Sequence, residues 1–361
     1  MRRTGVADLP LHGGRAPRWL FERMVRLARA LSLVILEEFG RREFLRRLSD
    51  PFWFQALGCL LGFDWHSSGL TTTVCGALKE ALRPLALELG VFVCGGKARA
   101  SLRTPEEILS AAERAGLPEE FRELTEISRL TAKVDNNALQ DGYQLYHHLF
   151  VFTVEGDWAV IQQGLNQATG FARRYHWFSG ELSDLVETPH SGIAAARKET
   201  EVLDLTARQS RPVRACLCKL LQEPPERLLR EMARLPCLSL PARHSLTERD
   251  LHPRGLRKVL LTAYERPPRD FRELLLLRGM GPRALRALTL TAELLFRVEA
   301  SREDPARYAF AHGGKDGHPF PVDRCTYEET VAFLEEALRR ARLGERDRLS
   351  ALRRLSRLGE V

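Results

Sequence analysis

Residues 147–165 carry the clearest strand pattern in the chain: His-His-Leu-Phe-Val-Phe-Thr-Val, then Glu-Gly-Asp, then Trp-Ala-Val-Ile-Gln-Gln-Gly-Leu. Two apolar runs around a glycine-containing turn predict a β-hairpin. With Gly156 and Asp157 as a two-residue turn, His148 lies opposite Leu165. The paired histidines and paired glutamines then gather at one end of the hairpin. Because the neighbouring segments have helical periodicity, the predicted fold class is α+β, with a hairpin-containing sheet in its N-terminal part.

Helical patterns surround this hairpin. Apolar residues at helical spacing predict a helix over residues 18–48. A second helix is expected from Thr73 to Leu89, interrupted at Pro84 because proline removes a backbone donor. A short strand over Val91–Cys94 follows it, and a helix with proline at its first position begins at Thr104.

The second half of the chain has almost wholly helical periodicity from about residue 199, with prolines marking short connections. A length of 361 residues with 44% hydrophobic composition exceeds the usual size of a single core. We therefore expect an α+β domain over residues 1–195 and a helical, DNA-binding domain over residues 196–361.

The charge balance favours a polyanionic partner. The formal net charge is +8, and only 7 of the 55 basic residues are lysine. Arginine forms bidentate contacts with phosphate, although a GC-rich coding sequence produces the same bias. The cysteines are scattered without a CxxC pair, which argues against a zinc site and a disulfide framework. Because a signal sequence and a long apolar run are both missing, we expect a cytoplasmic protein with no membrane partner.

Residues 271–290 resemble the helix-hairpin-helix family, in which two helices flank a Gly-apolar-Gly turn. That turn is expected at about the middle of residues 270–297, formed by Gly279, Met280 and Gly281. Glycines there allow close approach of the backbone, and the amides that open the second helix point at an anion. Arg283 and Arg286 flank the turn and are expected to contact phosphate. An ordinary helical corner is the alternative.

Helix-hairpin-helix glycosylases raise base excision as a third function. Bifunctional members of that family carry a lysine where this chain has Arg283, and a catalytic aspartate where the register here reaches Ser301. Glu303 and Asp304 lie close to that position but out of register. A Schiff base at residue 283 is not expected, because arginine is not deprotonated in proteins.

Polar residues concentrate in the N-terminal half and form a candidate catalytic face. Carboxylates and histidines beside a strand can hold a hard divalent ion that activates water. We expect Asp135, Asp141 and His148 to bind Mg²⁺ or Mn²⁺. A polar network that ties loops to the sheet is the alternative. The candidate catalytic residues are Asp64, His66, Lys97, Asp135, Asp141 and His148.

Two further basic segments are candidate DNA contacts. Arg173, Arg174, His176 and Trp177 interleave cations with aromatic rings, as in a platform for unpaired bases; a buried amphipathic segment is the alternative. The arginine-rich tail from Arg339 to Arg357 is either a solvated helical face or a phosphate-contacting arm.

The chain as a whole resembles an uncharacterised family, the domain of unknown function numbered 763. The resemblance rests on the segments Arg3 to Gly14, His66-Ser-Ser-Gly, Gln140-Asp-Gly, Gln162-Gln-Gly, Arg174-Tyr-His-Trp and His312-Gly-Gly-Lys-Asp-Gly. It implies little about mechanism beyond the Gly-apolar-Gly turn. From the candidate residues above, the function we expect is a metal-dependent DNA nuclease or strand-processing enzyme of repair, and the alternative is a non-catalytic DNA-binding or scaffold protein.

Overall fold

The computed structural model describes residues 16–63, 67–232, 254–306, 324–341 and 344–356. Its fold is α+β, as predicted. The strands are β1 (Val91–Lys97), β2 (Leu139–Gln140), β3 (Gln144–Thr153), β4 (Trp158–Leu165), β5 (Ala172–Phe178), β6 (Gly192–Ala194) and β7 (Leu203–Asp204). Five of them form an antiparallel sheet in the order β1-β3-β4-β5-β6, and β2 pairs with β7.

Helices cover both faces of the five-stranded sheet. They are α1 (Arg18–Leu48), α2 (Pro51–Leu60), α3 (Gly69–Leu82), α4 (Ala86–Leu89), α5 (Arg99–Leu102), α6 (Thr104–Arg114), α7 (Glu123–Lys133), α8 (Arg211–Leu220), α9 (Pro225–Met232), α10 (Arg254–Glu265), α11 (Phe271–Leu276), α12 (Pro282–Phe296), α13 (Arg324–Arg340) and α14 (Glu345–Ser356). Within the described part of the chain, no helix combines the length and apolarity needed to cross a membrane.

Several local predictions are confirmed with shifted boundaries. Helix α1 covers the predicted segment, and Pro84 lies in a 3-10 turn that separates α3 from α4. Helix α3 begins at Gly69, earlier than predicted, and the Gly69 N–H donates to the Ser67 hydroxyl at 3.2 Å. Strand β1 extends beyond the predicted Cys94 to Lys97.

The predicted register of the β3-β4 hairpin is wrong. His148 lies opposite Gln162, not opposite Leu165. The turn is longer than two residues: the Thr153 N–H donates to the Asp157 carbonyl at 2.9 Å, so residues 153–157 form the loop. The gathering of histidines and glutamines at one end of the hairpin is nevertheless confirmed, since they lie directly opposite each other across β3 and β4.

The predicted division at residue 195 does not divide the hydrophobic core. Helices α8 to α12 share one apolar cluster with the sheet face that carries Phe150, Val160 and Trp177. Helix α13 joins α1 to α3 on the other face, which carries Leu149 and Ile161. The second half of the chain therefore covers both faces of the sheet, because its amphipathic helices bury their apolar sides there and not against each other alone.

Candidate nucleic-acid interface

Residues 277–281 form a tight turn between α11 and α12. Gly279 is exposed and has a φ of +90°, a conformation that favours glycine. Gly281 is extended, with a φ of −103°, and precedes the first residue of α12 without a side-chain cap. Met280, between them, is fully buried in the apolar cluster that both helices share. The turn therefore presents glycine backbone outside and a methionine side chain inside.

Side chains at the end of α7 and in the segment after it hold this turn from the inner side. Lys133 Nζ and Asn137 Nδ2 each donate to the Met280 carbonyl at 3.0 Å. Gln140 Nε2 donates to the Pro282 carbonyl at 2.8 Å. In a trans peptide the carbonyl and the following N–H point in opposite directions. The amides of residues 281 and 283 are therefore directed away from these donors, outward from the protein body.

The arginines around the turn differ in exposure. Arg278 and Arg283 are exposed on either side of it. Arg286, one turn further along α12, is fully buried, and burial lowers its pKa to about 10. The predicted phosphate contact by Arg286 is therefore wrong, because its guanidinium lies inside the protein. Lys133 is half-buried beneath the turn, and burial lowers its pKa.

The two glycines of the turn should respond differently to alanine. A Cβ on Gly279 would lie 2.7 Å from Val259 Cγ2 at a positive φ, whereas a Cβ on Gly281 meets no atom closer than 4.0 Å. We expect Gly279→Ala to lower the free energy of unfolding by about 1 to 3 kcal/mol. Gly281→Ala should stay within about 0.5 kcal/mol of wild type. Urea denaturation followed by tryptophan fluorescence measures both, and equal losses would contradict this geometry.

Asp135 lies in the π-helical turn Val134–Ala138 and is fully buried against the sheet. Its Oδ2 accepts from Gln162 Nε2 at 2.5 Å and from Trp177 Nε1 at 3.0 Å. Its Oδ1 bonds with His190 Nε2 at 2.5 Å. Burial raises the pKa of Asp135, against the lowering effect of His190. Both oxygens are committed to partners inside the protein.

His148 connects this network to α7. Gln162 uses its amide nitrogen as a donor, so its Oε1 accepts from His148 Nδ1 at 2.8 Å. His148 Nε2 is then the acceptor for the Ser128 hydroxyl at 2.9 Å. A hydroxyl bonded to a neutral imidazole is the arrangement that activates a serine nucleophile. Ser128 is only 2% exposed, however, so no substrate reaches it in this conformation.

Asp141 belongs to a second buried network. Its Oδ2 accepts from Arg173 Nη1 at 3.0 Å and from the Tyr175 hydroxyl at 2.7 Å. Asp304 binds the same guanidinium through both oxygens, at 3.0 and 2.7 Å. Burial opposes the charge of Arg173, but Asp304 and Asp141 outweigh it and hold its pKa well above the usual value. Asp304, set aside as a catalytic residue on register, is thus a buried counter-ion.

The predicted metal ligands do not share a site. Asp135 and His148 are joined through Gln162, while Asp141 is neutralised by Arg173. Among the described residues, no group of three or more His, Cys, Asp or Glu is placed to hold a metal ion. These donor atoms fit a metal poorly because each one already has a protein partner. The alternative of a polar network is what the structure shows for them.

Lys97, another predicted catalytic residue, is not brought to this network. Lys97 pairs in register with His147, whereas His148 pairs with Gly96 and points to the other face of the sheet. Lys97 is exposed, 5.8 Å from the centre of the Tyr146 ring. The predicted residues Asp64 and His66 lie outside the described residues.

The prediction that β5 carries a platform for unpaired bases is wrong. Arg173, Arg174, His176 and Trp177 are all fully buried. Arg174 donates to Gln55 Oε1 at 3.0 Å and to His176 Nε2 at 2.8 Å, and burial lowers its pKa to about 9. A stacking platform needs exposed ring faces. Because β5 is an inner strand with helices on both sides, these side chains form part of the interior.

A comparison with protein families identifies residues 5–322 with one family, described as protein of unknown function (DUF763). The chain belongs to this family. Neither the curated proteins nor the solved structures contain a match. Membership in a family of unknown function assigns no residue roles, so the roles given above rest on contacts within this chain.

Sequence reasoning missed the residues that support the turn and the networks. Lys133 and Asn137 carry no motif, and their role follows from a contact across about 140 positions of the chain. His190 follows a proline in a loop and was not singled out. The burial of Arg173 could have been predicted from the sequence. Polar and apolar residues do not alternate along β5, and this is typical of a strand that is covered on both faces.

Proposed function

We propose that this protein binds the sugar-phosphate backbone of DNA through the turn at residues 277–283, without cleaving it. The observation that carries the proposal is that the Met280 and Pro282 carbonyls accept hydrogen bonds from the inner side of the turn. The amide that follows each carbonyl, at residues 281 and 283, is therefore directed outward. Outward amides at the start of a 15-residue helix favour an anion, because the helix dipole is positive there.

The charges around the turn support the same ligand. Arg278 and Arg283 are exposed beside it, and Lys133 donates from beneath. An anion that approaches the turn therefore meets cations on both sides. The exposed Gly279 has no side chain to keep a phosphate at a distance. Such a site contacts the backbone and carries no base specificity.

Catalysis has less support than binding. Asp135 and Asp141 are fully buried and hydrogen-bonded within the protein, so neither is placed to generate a metal-bound nucleophile. Base excision through a Schiff base requires a neutral amine. Position 283 carries an arginine, which is not deprotonated in proteins. A non-catalytic DNA-binding or scaffold role is therefore the proposal.

Charge reversal at the turn tests this proposal. We expect Arg283→Glu to weaken binding to DNA of any sequence by about 1 to 3 kcal/mol, or roughly 5- to 150-fold. Gly281→Val should weaken binding similarly, because a side chain there covers the outward amides; its Cβ would lie no closer than 4.0 Å to any atom beyond the adjacent residues. Fluorescence anisotropy with labelled duplex and single strands at several salt concentrations measures both. With two or three phosphates contacted, the log-log salt slope should be about −2 to −3.

A matched charge reversal controls for net charge. Arg83 is exposed and pairs with Glu80 at the end of α3, which packs on the opposite face of the sheet. If Arg83→Glu weakens binding as much as Arg283→Glu, attraction is non-specific and the turn is not the site. The same DNA incubated with Mg²⁺ or Mn²⁺ should keep its strand length. If the DNA is cleaved and Asp135→Asn abolishes the cleavage, the function is that of a metal-dependent nuclease and the non-catalytic proposal is wrong.

A further inference from the structure

A cleft lies where the start of α1, the end of α2 and α14 meet. Its volume is about 310 Å³, at the lower end of small-molecule pockets. The side chains that define its chemistry are Trp19, Arg23, Arg26, Asp347 and Arg354. It is separate from the turn at residues 277–283, because α1 and α2 pack on the opposite face of the sheet.

The lining is positively charged. Three arginines face one carboxylate, and that carboxylate, Asp347, pairs with Arg26 at 3.2 Å. Arg354 uses its Nε and Nη1 on neutral oxygens, the Leu60 carbonyl at 2.9 Å and the Ser350 hydroxyl at 3.0 Å. Burial lowers the pKa of Arg354; the negative charge of Asp347 opposes this effect, and the positive charge of Arg23 adds to it. An anion in the cleft would relieve this repulsion.

The cleft also has an aromatic surface. Trp19 is 60% exposed, whereas the other tryptophans of the described chain are buried, the most exposed of them at 4%. Arg23 lies over the Trp19 ring at 5.4 Å from its centre. An exposed indole beside arginines offers a flat apolar face for stacking together with a cation for an attached negative group.

We propose that this cleft binds a nucleotide, with its base stacked on Trp19 and its phosphate held by Arg23 and Arg354. The two halves of the ligand correspond to the two halves of the site, an exposed ring and three arginines that outnumber the single carboxylate. Such a nucleotide is either free or part of a single strand, since both present the same base and phosphate. The proposal does not depend on the turn.

The experiment titrates the full-length protein with adenosine monophosphate, adenosine, ribose 5-phosphate and a short single-stranded oligonucleotide. Quenching of tryptophan fluorescence and calorimetry are the readouts. Adenosine monophosphate should bind more tightly than adenosine or ribose 5-phosphate, because each of those lacks one half of the ligand. Tight binding of the oligonucleotide alone, lost in Trp19→Ala and kept in Arg283→Glu, identifies a strand as the source, and equal binding of the monophosphate identifies the free nucleotide.

Variants assign the binding to this cleft. Trp19→Ala and Arg23→Gln should each weaken binding about 10-fold, within the range of one stacked base or one charge-assisted contact. Trp19→Phe should keep the affinity in calorimetry and lose the quenching. Arg18→Gln is the matched control, since Arg18 lies on the same helix, is exposed and pairs with Glu22. Unchanged affinity in Trp19→Ala and Arg23→Gln, or no saturable binding of any probe, overturns the proposal.

Discussion

Replacement of Arg173 by methionine should lower the free energy of unfolding by about 3 to 5 kcal/mol, the cost of leaving buried charges without a partner. Arg173 is the shared counter-ion of Asp141 and Asp304, and all three side chains are at most 1% exposed. Without it, two carboxylates remain buried beside each other. Urea denaturation followed by tryptophan fluorescence measures the loss.

Neutralising the carboxylates should reverse much of this loss. In the triple variant Arg173→Met, Asp141→Asn, Asp304→Asn, no unpaired charge remains, so stability should recover relative to Arg173→Met alone. The loss in free energy of unfolding caused by Arg173→Met should also become smaller as the pH falls. Burial and mutual repulsion favour the protonated forms of Asp141 and Asp304 in the folded variant. A deficit under 1 kcal/mol, or one that grows towards low pH, would show that the three residues do not act as an ion network.

This network shows why the fold class could be predicted from local pattern, whereas the packing between the two halves of the chain could not. Asp304 belongs to the C-terminal half of the chain and Arg173 to strand β5, so one ion pair joins the two predicted domains. Periodicity identifies helices and strands because it depends on local spacing. It gives no information on which face of the sheet a later helix covers, and α12 and α13 cover opposite faces.

The candidate site shows the same limit. The turn around Gly279 and Gly281 could be predicted because its chemistry is local: glycine, proline and arginine within a few positions. The carboxylates and histidines could be selected but not assigned, because residue type alone does not distinguish a metal ligand from a buried hydrogen-bond acceptor. For Asp135 the distinction depends on Gln162, Trp177 and His190, which come from three separate segments.

His147 should make folding pH-dependent in a way that one variant can isolate. It lies on β3 between Lys97 and Gln163, is 1% exposed, and neither ring nitrogen has a hydrogen-bond partner among the described residues. Burial lowers its pKa to about 3, and repulsion from His148 when that ring is protonated, and from Lys97 and Lys79, adds to this effect. The unfolded value is about 6.5. The chain therefore takes up a proton at this residue when it unfolds between those pH values.

The sign follows from linkage. Because the folded pKa is lowered, the contribution of His147 to stability is present above about pH 6.5 and is lost as the pH falls, by about 1.4 kcal/mol per unit. His147→Leu removes this titration and an unpaired polar ring, so at pH 7.5 it should be within about 1 kcal/mol of wild type or more stable. Between pH 7.5 and 4.5 wild type should lose about 2 to 3 kcal/mol relative to the variant. Urea denaturation of both proteins at each pH measures the difference in their free energies of unfolding, in which the other titrating groups cancel. If the two free energies change in parallel with pH, His147 is not held neutral in the folded protein.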